Sequence, residues 1–231
     1  MSFFKVNTES AAKVEGGNFI NQSGIYDVTI KAIIVDTNDK GARSLNFYID
    51  NNGTEQVIYG GLRLDNNDGS ANFQANTFNK LCVVAGLESI QDPVEATLPI
   101  GKAGAAKDVA VLPDFEEFDC KMRVQMEYTV VPDADKNGKP YAKAGQISER
   151  KLIKAFYRTD GAEASEILNE TEPGIKLSKD LVYAENVTYK DDLTAEAIAA
   201  WIAGGRDASA TPTAATATPK ASFGKREFGK K

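Results

Sequence analysis

Histidine is absent from all 231 residues, and that absence removes several classes of chemistry at once. Without an imidazole there is no histidine general base, no Ser-His triad and none of the common zinc sites. Cysteine is nearly as scarce. Cys82 and Cys120 are the only two; two distant thiols complete no tetrahedral metal site, and both read as small buried groups rather than a disulfide pair. Neither phosphate-binding glycine fingerprint occurs, since Gly16-Gly17 and Gly60-Gly61 match neither motif. No run approaches the roughly 18 apolar residues of a membrane helix, and Met1–Lys5 leads into polar sequence rather than the apolar core of a signal peptide. The expectation is a non-enzymatic protein with no metal, no cofactor and no membrane association, working in the cytoplasm where it is made. The acidic pairs Glu116-Glu117 and Asp191-Asp192 read as a strand start and a helix cap, not as catalytic groups.

Charge is unevenly spread. The formal net charge is −6, yet Lys220–Lys231 holds five basic residues and one acid, a local +4 that leaves −10 for the rest. An acidic body argues against indiscriminate binding to duplex phosphates. It leaves room for a local basic groove, because the field follows where charges lie rather than their sum.

What is present is a succession of strand-like segments. Alternation of apolar and polar residues predicts strands near Ile25–Thr37, Ser44–Asp50, Gln56–Leu64, Lys121–Val131 and Gln146–Thr159. In the first, Tyr26, Val28, Ile30, Ala32 and Ile34 share one face. In the second, Leu45, Phe47 and Ile49 alternate with Asn46, Tyr48 and Asp50. Gly60-Gly61 inside the third predicts a bulge or a close backbone approach. Between the third and fourth strands, Phe78, Leu81, Cys82 and Ala85 stand at helical spacing and Gly86 supplies a stop, predicting a helix near Ala75–Ala85. Residues 87–118, with Pro93, Pro99 and Pro113, read as a long irregular excursion. Ala162–Asn169 is weakly helical. Leu193, Ala197, Ile198, Trp201 and Ile202 form a helical stripe that ends at Gly204-Gly205, read as a docked helix or a subunit contact rather than a ligand site.

Strand, strand, strand, helix, strand, strand is the order of the five-stranded OB-fold barrel. The expected fold class is therefore mainly β: an OB-fold barrel with a helix between strands three and four, a C-terminal helix and a disordered tail. The expected organisation is an N-terminal arm over 1–23, the OB domain with its helical appendage over 24–205, and a flexible Ala/Thr/Pro tail over 206–231.

OB-folds bind nucleic acid on a strand face and with their loops, stacking bases on aromatic rings and meeting phosphates with cations. The expected outward-facing set is Tyr48, Tyr59, Lys121, Arg123, Arg150, Lys154, Phe156 and Arg158, with Tyr59 left ambiguous by the Gly-Gly beside it. The loop between the last two strands adds Lys136, Lys139, Tyr141 and Lys143 around an Asn-Gly turn. The tail repeats Phe-Gly-Lys and brings Lys225, Arg226, Phe228, Lys230 and Lys231, either as a cationic grip on DNA or as a contact with a neighbouring subunit.

The segments entering the barrel at Gly24–Ile30, Leu45–Asp50, Tyr59–Gly61 and the helix Phe78–Leu81 together resemble a phage-encoded single-stranded-DNA-binding protein of the replication or recombination type. The resemblance covers roughly Gly24–Thr159. It implies an OB-fold that coats displaced single strands in the host cytoplasm and recruits replication or recombination proteins through its tail. Many such relatives end in an acidic tip with a terminal aromatic residue, whereas this chain ends basic, which sets aside the usual docking mode. The alternative reading is a phage structural or assembly protein built on a small β-barrel. Oligomeric state is left open.

Overall fold

A computed structural model describes residues 18–131 and 145–206. Among them the elements run β1 (Gly24–Thr37), β2 (Arg43–Asn51), β3 (Thr54–Arg63), α1 (Ala75–Val84), β4 (Val94–Leu98), β5 (Lys107–Leu112), β6 (Phe118–Val130), β7 (Ile147–Tyr157), α2 (Ala164–Leu168), α3 (Ile175–Leu181), β8 (Thr188–Tyr189) and α4 (Ala195–Ala203). The eight strands form one sheet, in the order β3-β2-β1-β5-β4, with β6 pairing β1, β7 and β8. The fold is mainly β, and the five strands and the central helix fall where periodicity puts them. The sheet is nevertheless open: among the described residues β3 and β7 each pair with one strand only. The closed five-stranded ring is not what the ladders form.

The chain divides into two compact units. One comprises the residues up to Glu127 together with Glu149–Thr188; the other comprises Tyr128–Ser148 and the residues from Tyr189 onward.

In the first unit β1 is the spine. Gly24–Ile30 pairs with Phe118–Val124 of β6, while Thr29–Thr37 pairs with β2. Between Ile30 and Ala32 the β2 register slips. A slip of one residue sends every later side chain to the opposite face. Val28, Ile30 and Ile33 therefore enter the main core, whereas Ala32 and Ile34 enter a second cluster. The single shared face expected for Tyr26 through Ile34 is corrected here, because period-two counting passes straight through the bulge.

The main core also takes Leu45, Phe47 and Ile49 of β2, Ile58 and Leu62 of β3, Leu81 of α1, Cys120, Met122 and Val124 of β6, and Ile153 and Phe156 of β7. Phe78, Cys82 and Ala85 of the helical stripe pack against it. Residues 18–23, expected to lie in an extended arm, are laced to the sheet. Ile20 is fully buried, its N–H donating to Gln56 Oε1 at 3.1 Å, and the Met126 N–H donates to Ser23 Oγ at 2.9 Å.

The second correction concerns residues 87–118. They hold the antiparallel pair β4–β5, with Val94 opposite Val111 and Leu98 opposite Lys107, and β5 joins β1 at Ile33–Leu112 and Ile34–Val111. The prolines that suggested irregularity sit at the strand ends: Pro93 before β4, Pro99 after it and Pro113 after β5. Their missing N–H groups are tolerated there because the ladder ends anyway. Ala96, Leu98, Ile100 and Val109 close the second cluster over Ala32, Ile34, Tyr48 and Val111.

At α2, Glu163 and Glu166 form a reciprocal capping box, and Lys80 of α1 reaches Glu163 Oε1 at 2.6 Å. In the second unit, Thr194 caps α4 by accepting from the Ala197 N–H. Trp201 packs edge-on to Tyr128, and Tyr128 stacks on Tyr189 with ring centroids 6.0 Å apart.

Two outcomes follow from these contacts. A methyl group on Gly61 would sit 2.9 Å from both Ile153 Cδ1 and Phe47 Cδ2. Gly61→Ala is expected to destabilise the fold by about 1–3 kcal/mol in urea unfolding, the cost of overpacking a filled core. Burial pushes the Glu163 carboxyl up, but the Lys80 ammonium and the Ser165 hydroxyl and amide outweigh it and hold the group below its ordinary value. A carboxyl depressed in the folded state contributes stability that is complete above its unfolded pKa and is lost as pH falls through the folded one. Glu163→Gln should therefore flatten the acid limb of stability against pH, measured by urea unfolding from neutral pH down through the carboxylate range.

Candidate nucleic-acid interface

The third strand carries the most exposed aromatic group on the sheet's outer side. Opposite Asn46, β3 accommodates extra residues: Leu45 pairs with Leu62 and Phe47 with Ile58, so three residues on β3 face one on β2. The Gly60 N–H donates to the buried Asn46 Oδ1 at 2.6 Å, and Asn46 Nδ2 donates to Asp36 at 2.6 Å. Gly60 adopts φ +61°, a left-handed conformation that glycine enters without cost. This is the bulge foreseen at Gly60-Gly61, and it turns Tyr59 outward, 63% exposed. The Tyr59 hydroxyl makes one long contact, 3.5 Å to the Ile100 carbonyl at the tip of β4–β5. Two residues on, Lys102 stands exposed in a tight turn with no ion-pair partner among the described residues, and Lys107 at the start of β5 is likewise exposed without one.

Several expected contact residues lie elsewhere. Tyr48 does face away from the main core, but β4–β5 covers it, leaving 6% exposed. Its hydroxyl donates to Glu55, and burial together with that carboxylate pushes the phenol up to about 12. In this arrangement the ring offers no face to a base. Phe156 is a second correction. It is a core residue 5.6 Å from Phe47, because the alternation along β7 slips between Ile153 and Phe156, both of which point inward.

Arg123 is a third. Its guanidinium meets Asp180 at 3.3 Å and donates to the Tyr183 carbonyl at 3.2 Å, and its Nε is buried with no partner. Tyr157 donates to the same Asp180 at 2.6 Å. The cation binds the segment around α3 to the sheet and is spent there. Lys121 is half-buried and paired with Asp27 at 2.5 Å. Arg158 is exposed but clamped by Asp160. Arg150 and Lys154 are exposed on β7 without an ion-pair partner among the described residues. No described contact joins them to Tyr59.

Lys136, Lys139, Tyr141 and Lys143 lie outside the described residues, as do Lys225, Arg226, Phe228, Lys230 and Lys231. The ends of the loop bearing the first four are pinned, since Val131 and Gln146, and Gly145 and Val131, share backbone hydrogen bonds of 2.8 Å.

A cleft of about 290 Å³ opens elsewhere in the first unit, lined by Asp27, Asp50 and Asp119 together with Thr29, Asn52 and Thr159. Three carboxylates repel phosphate, so this cleft is a poor seat for a nucleic-acid backbone. Among the described residues no cluster of groups is placed to hold a metal ion, and no helix is long and apolar enough to cross a membrane.

Sequence reasoning missed Lys102, Arg63 and Phe73. Phe73 stands 84% exposed in the polar segment between β3 and α1. A large aromatic among asparagines and aspartates was a visible signal, passed over because the segment fell between elements. No protein-family model matches the chain, and no curated protein matches it.

Arg123 is built into the fold, so its removal tests folding rather than binding. Arg123→Ala leaves Asp180 with the Tyr157 hydroxyl and the more exposed Lys176 ammonium, and should cost about 1–3 kcal/mol in denaturant unfolding. Affinity of the folded fraction for an oligonucleotide should stay unchanged.

Proposed function

We propose that this protein binds single-stranded DNA without strong sequence preference, as a phage-type replication or recombination protein, and that it is not an enzyme. One observation carries the reading: the Asn46-anchored bulge holds an aromatic ring out of the sheet beside a hairpin tip bearing a lysine that has no ion-pair partner among the described residues. A base stacked on an aromatic side chain gains about 1–3 kcal/mol whatever its identity, and nearby cations meet its phosphates.

The same proposal takes the sheet as an elaborated OB-fold. β1, β2, β3, β6 and β7 would be its five strands, α1 its intervening helix and β4–β5 an insertion. Supporting this, β1 pairs with both β2 and β6, and β6 with β7. The ends of the sheet also approach through side chains, with Gly61 of β3 against Ile153 and Phe47 of β2 against Phe156.

A second reading has its own support. Leu168, Ile175, Leu181, Val182 and Tyr183 are all exposed around α2 and α3. That much apolar surface favours a protein contact, as the assembly-protein alternative requires.

Anisotropy of a labelled oligo-dT separates the two. Binding should weaken as salt rises, Tyr59→Ala should cost about 1–3 kcal/mol of affinity, and Lys102→Ala should lower the log–log salt slope by about 0.7, one phosphate contact on a single strand. Wild-type protein that ignores oligo-dT at low salt ends the DNA reading and leaves the assembly one.

A further inference from the structure

We infer a second base-stacking platform, Phe73 with Arg63 beside it, at the free edge of β3, so that a bound single strand runs along β3 from Tyr59 to Phe73. The inference rests on the single-strand reading and goes beyond it in assigning the path.

The geometry comes from how the chain turns back after β3. Asp65 and Ala71 form an antiparallel bridge, and the Asn72 N–H donates to the Leu64 carbonyl at 2.8 Å. The pairing stops there, since the Leu64 N–H donates to the Arg43 carbonyl, and Phe73 enters the turn leading into α1, directly before Gln74, to which Arg63 is hydrogen-bonded. The returning segment is fastened where it matters. The Arg63 N–H donates to Gln74 Oε1 at 3.0 Å, and the Gln74 N–H donates to Asn72 Oδ1 at 3.0 Å. Phe73 is thus held by its neighbours on both sides while its ring contacts solvent. An exposed phenylalanine on a fastened backbone presents a face to a base at little entropic cost.

Charge agrees with an anionic occupant. Arg63 is exposed and has no ion-pair partner among the described residues. The nearest carboxylate along the chain, Asp65, is already matched by Arg43, whose Nε lies 2.6 Å away and whose guanidinium holds that carboxyl below its usual value. Asp68, exposed at the turn, accepts from the Ser70 hydroxyl and amide and is the one opposing charge in the segment without a cationic partner. Along β3, Tyr59 and Arg63 are four residues apart, at most about 13 Å at strand rise. That separation suits a chain of several nucleotides rather than a single base.

The test is a length series of oligo-dT over about 4 to 16 nucleotides, the range covered by one OB-fold, titrated against the full chain and its variants. Phe73→Ala should weaken binding of the longer oligomers roughly five- to a hundredfold and leave the shortest ones unaffected, whereas Tyr59→Ala weakens all of them. Phe73→Leu should behave like the alanine variant and Phe73→Trp like the wild type, because the flat π-face is what is required. Arg63→Gln should lower the salt slope by about 0.7. If the wild type binds and Tyr59→Ala weakens it, but Phe73→Ala matches the wild type at every length, the second platform is overturned and the single-strand reading stands. If Phe73→Leu retains full affinity, stacking at this position is overturned. If the wild type binds no oligo-dT, the functional reading itself has failed.

Discussion

The register slip between Ile30 and Ala32 is the constraint on which most of the first unit turns. Before it, β1 feeds Val28 and Ile30 into the main core; after it, Ala32 and Ile34 look the other way. An apolar patch of that kind on the outer side of a sheet needs a cover. The cover is β4–β5, which docks on β1 through Ile33 and Ile34 and closes over Tyr48. Once that cover is in place, the outer face of β1 and β2 is no longer open to solvent around Tyr48. The exposed aromatic ring of the sheet lies one strand along, at the bulge of β3.

The strands and the central helix were legible because their side chains are half-buried, and a half-buried strand writes its burial into a period of two. The Cys120–Met126 stretch of β6 is the clearest instance, with buried residues at every second position. The sequence-based reading failed where a strand is buried on both faces or slips. Tyr48 and Asn46 alternate with core residues and still lie buried, since a second layer covers them. Phe156 points inward because β7 shifts by one residue, which no local composition announces. Arg123 looked like a solvated cation in its own strand, and its partner Asp180 lies 57 positions away in sequence. Tyr59 was the one candidate whose exposure depended on a feature visible in the chain, the adjacent Gly60-Gly61.

Net charge is a poor guide to what such a surface attracts. Screening confines exposed charges to about 8–10 Å at ordinary ionic strength, so the carboxylates of the Asp27, Asp50 and Asp119 cleft count little against a cation elsewhere on the sheet. Ion pairing decides more. Lys31, Arg43, Lys80, Lys121 and Arg158 are each matched by a carboxylate. Arg63, Lys102, Lys107, Arg150 and Lys154 have no such match among the described residues. Among the described residues, the cations left to meet a phosphate are therefore set by which of them a carboxylate already holds.

The covered phenol of Tyr48 gives the fold an alkaline edge. A group whose folded pKa is raised favours the folded state fully below its ordinary value and withdraws that favour as pH climbs toward the raised one. For Tyr48 that window opens near 10 and closes near 12, because burial under β4–β5 and the hydrogen bond to Glu55 both oppose loss of the proton. The ring that packs β4–β5 onto the outer side of β2 is thus also the group that makes this packing sensitive to strong alkali.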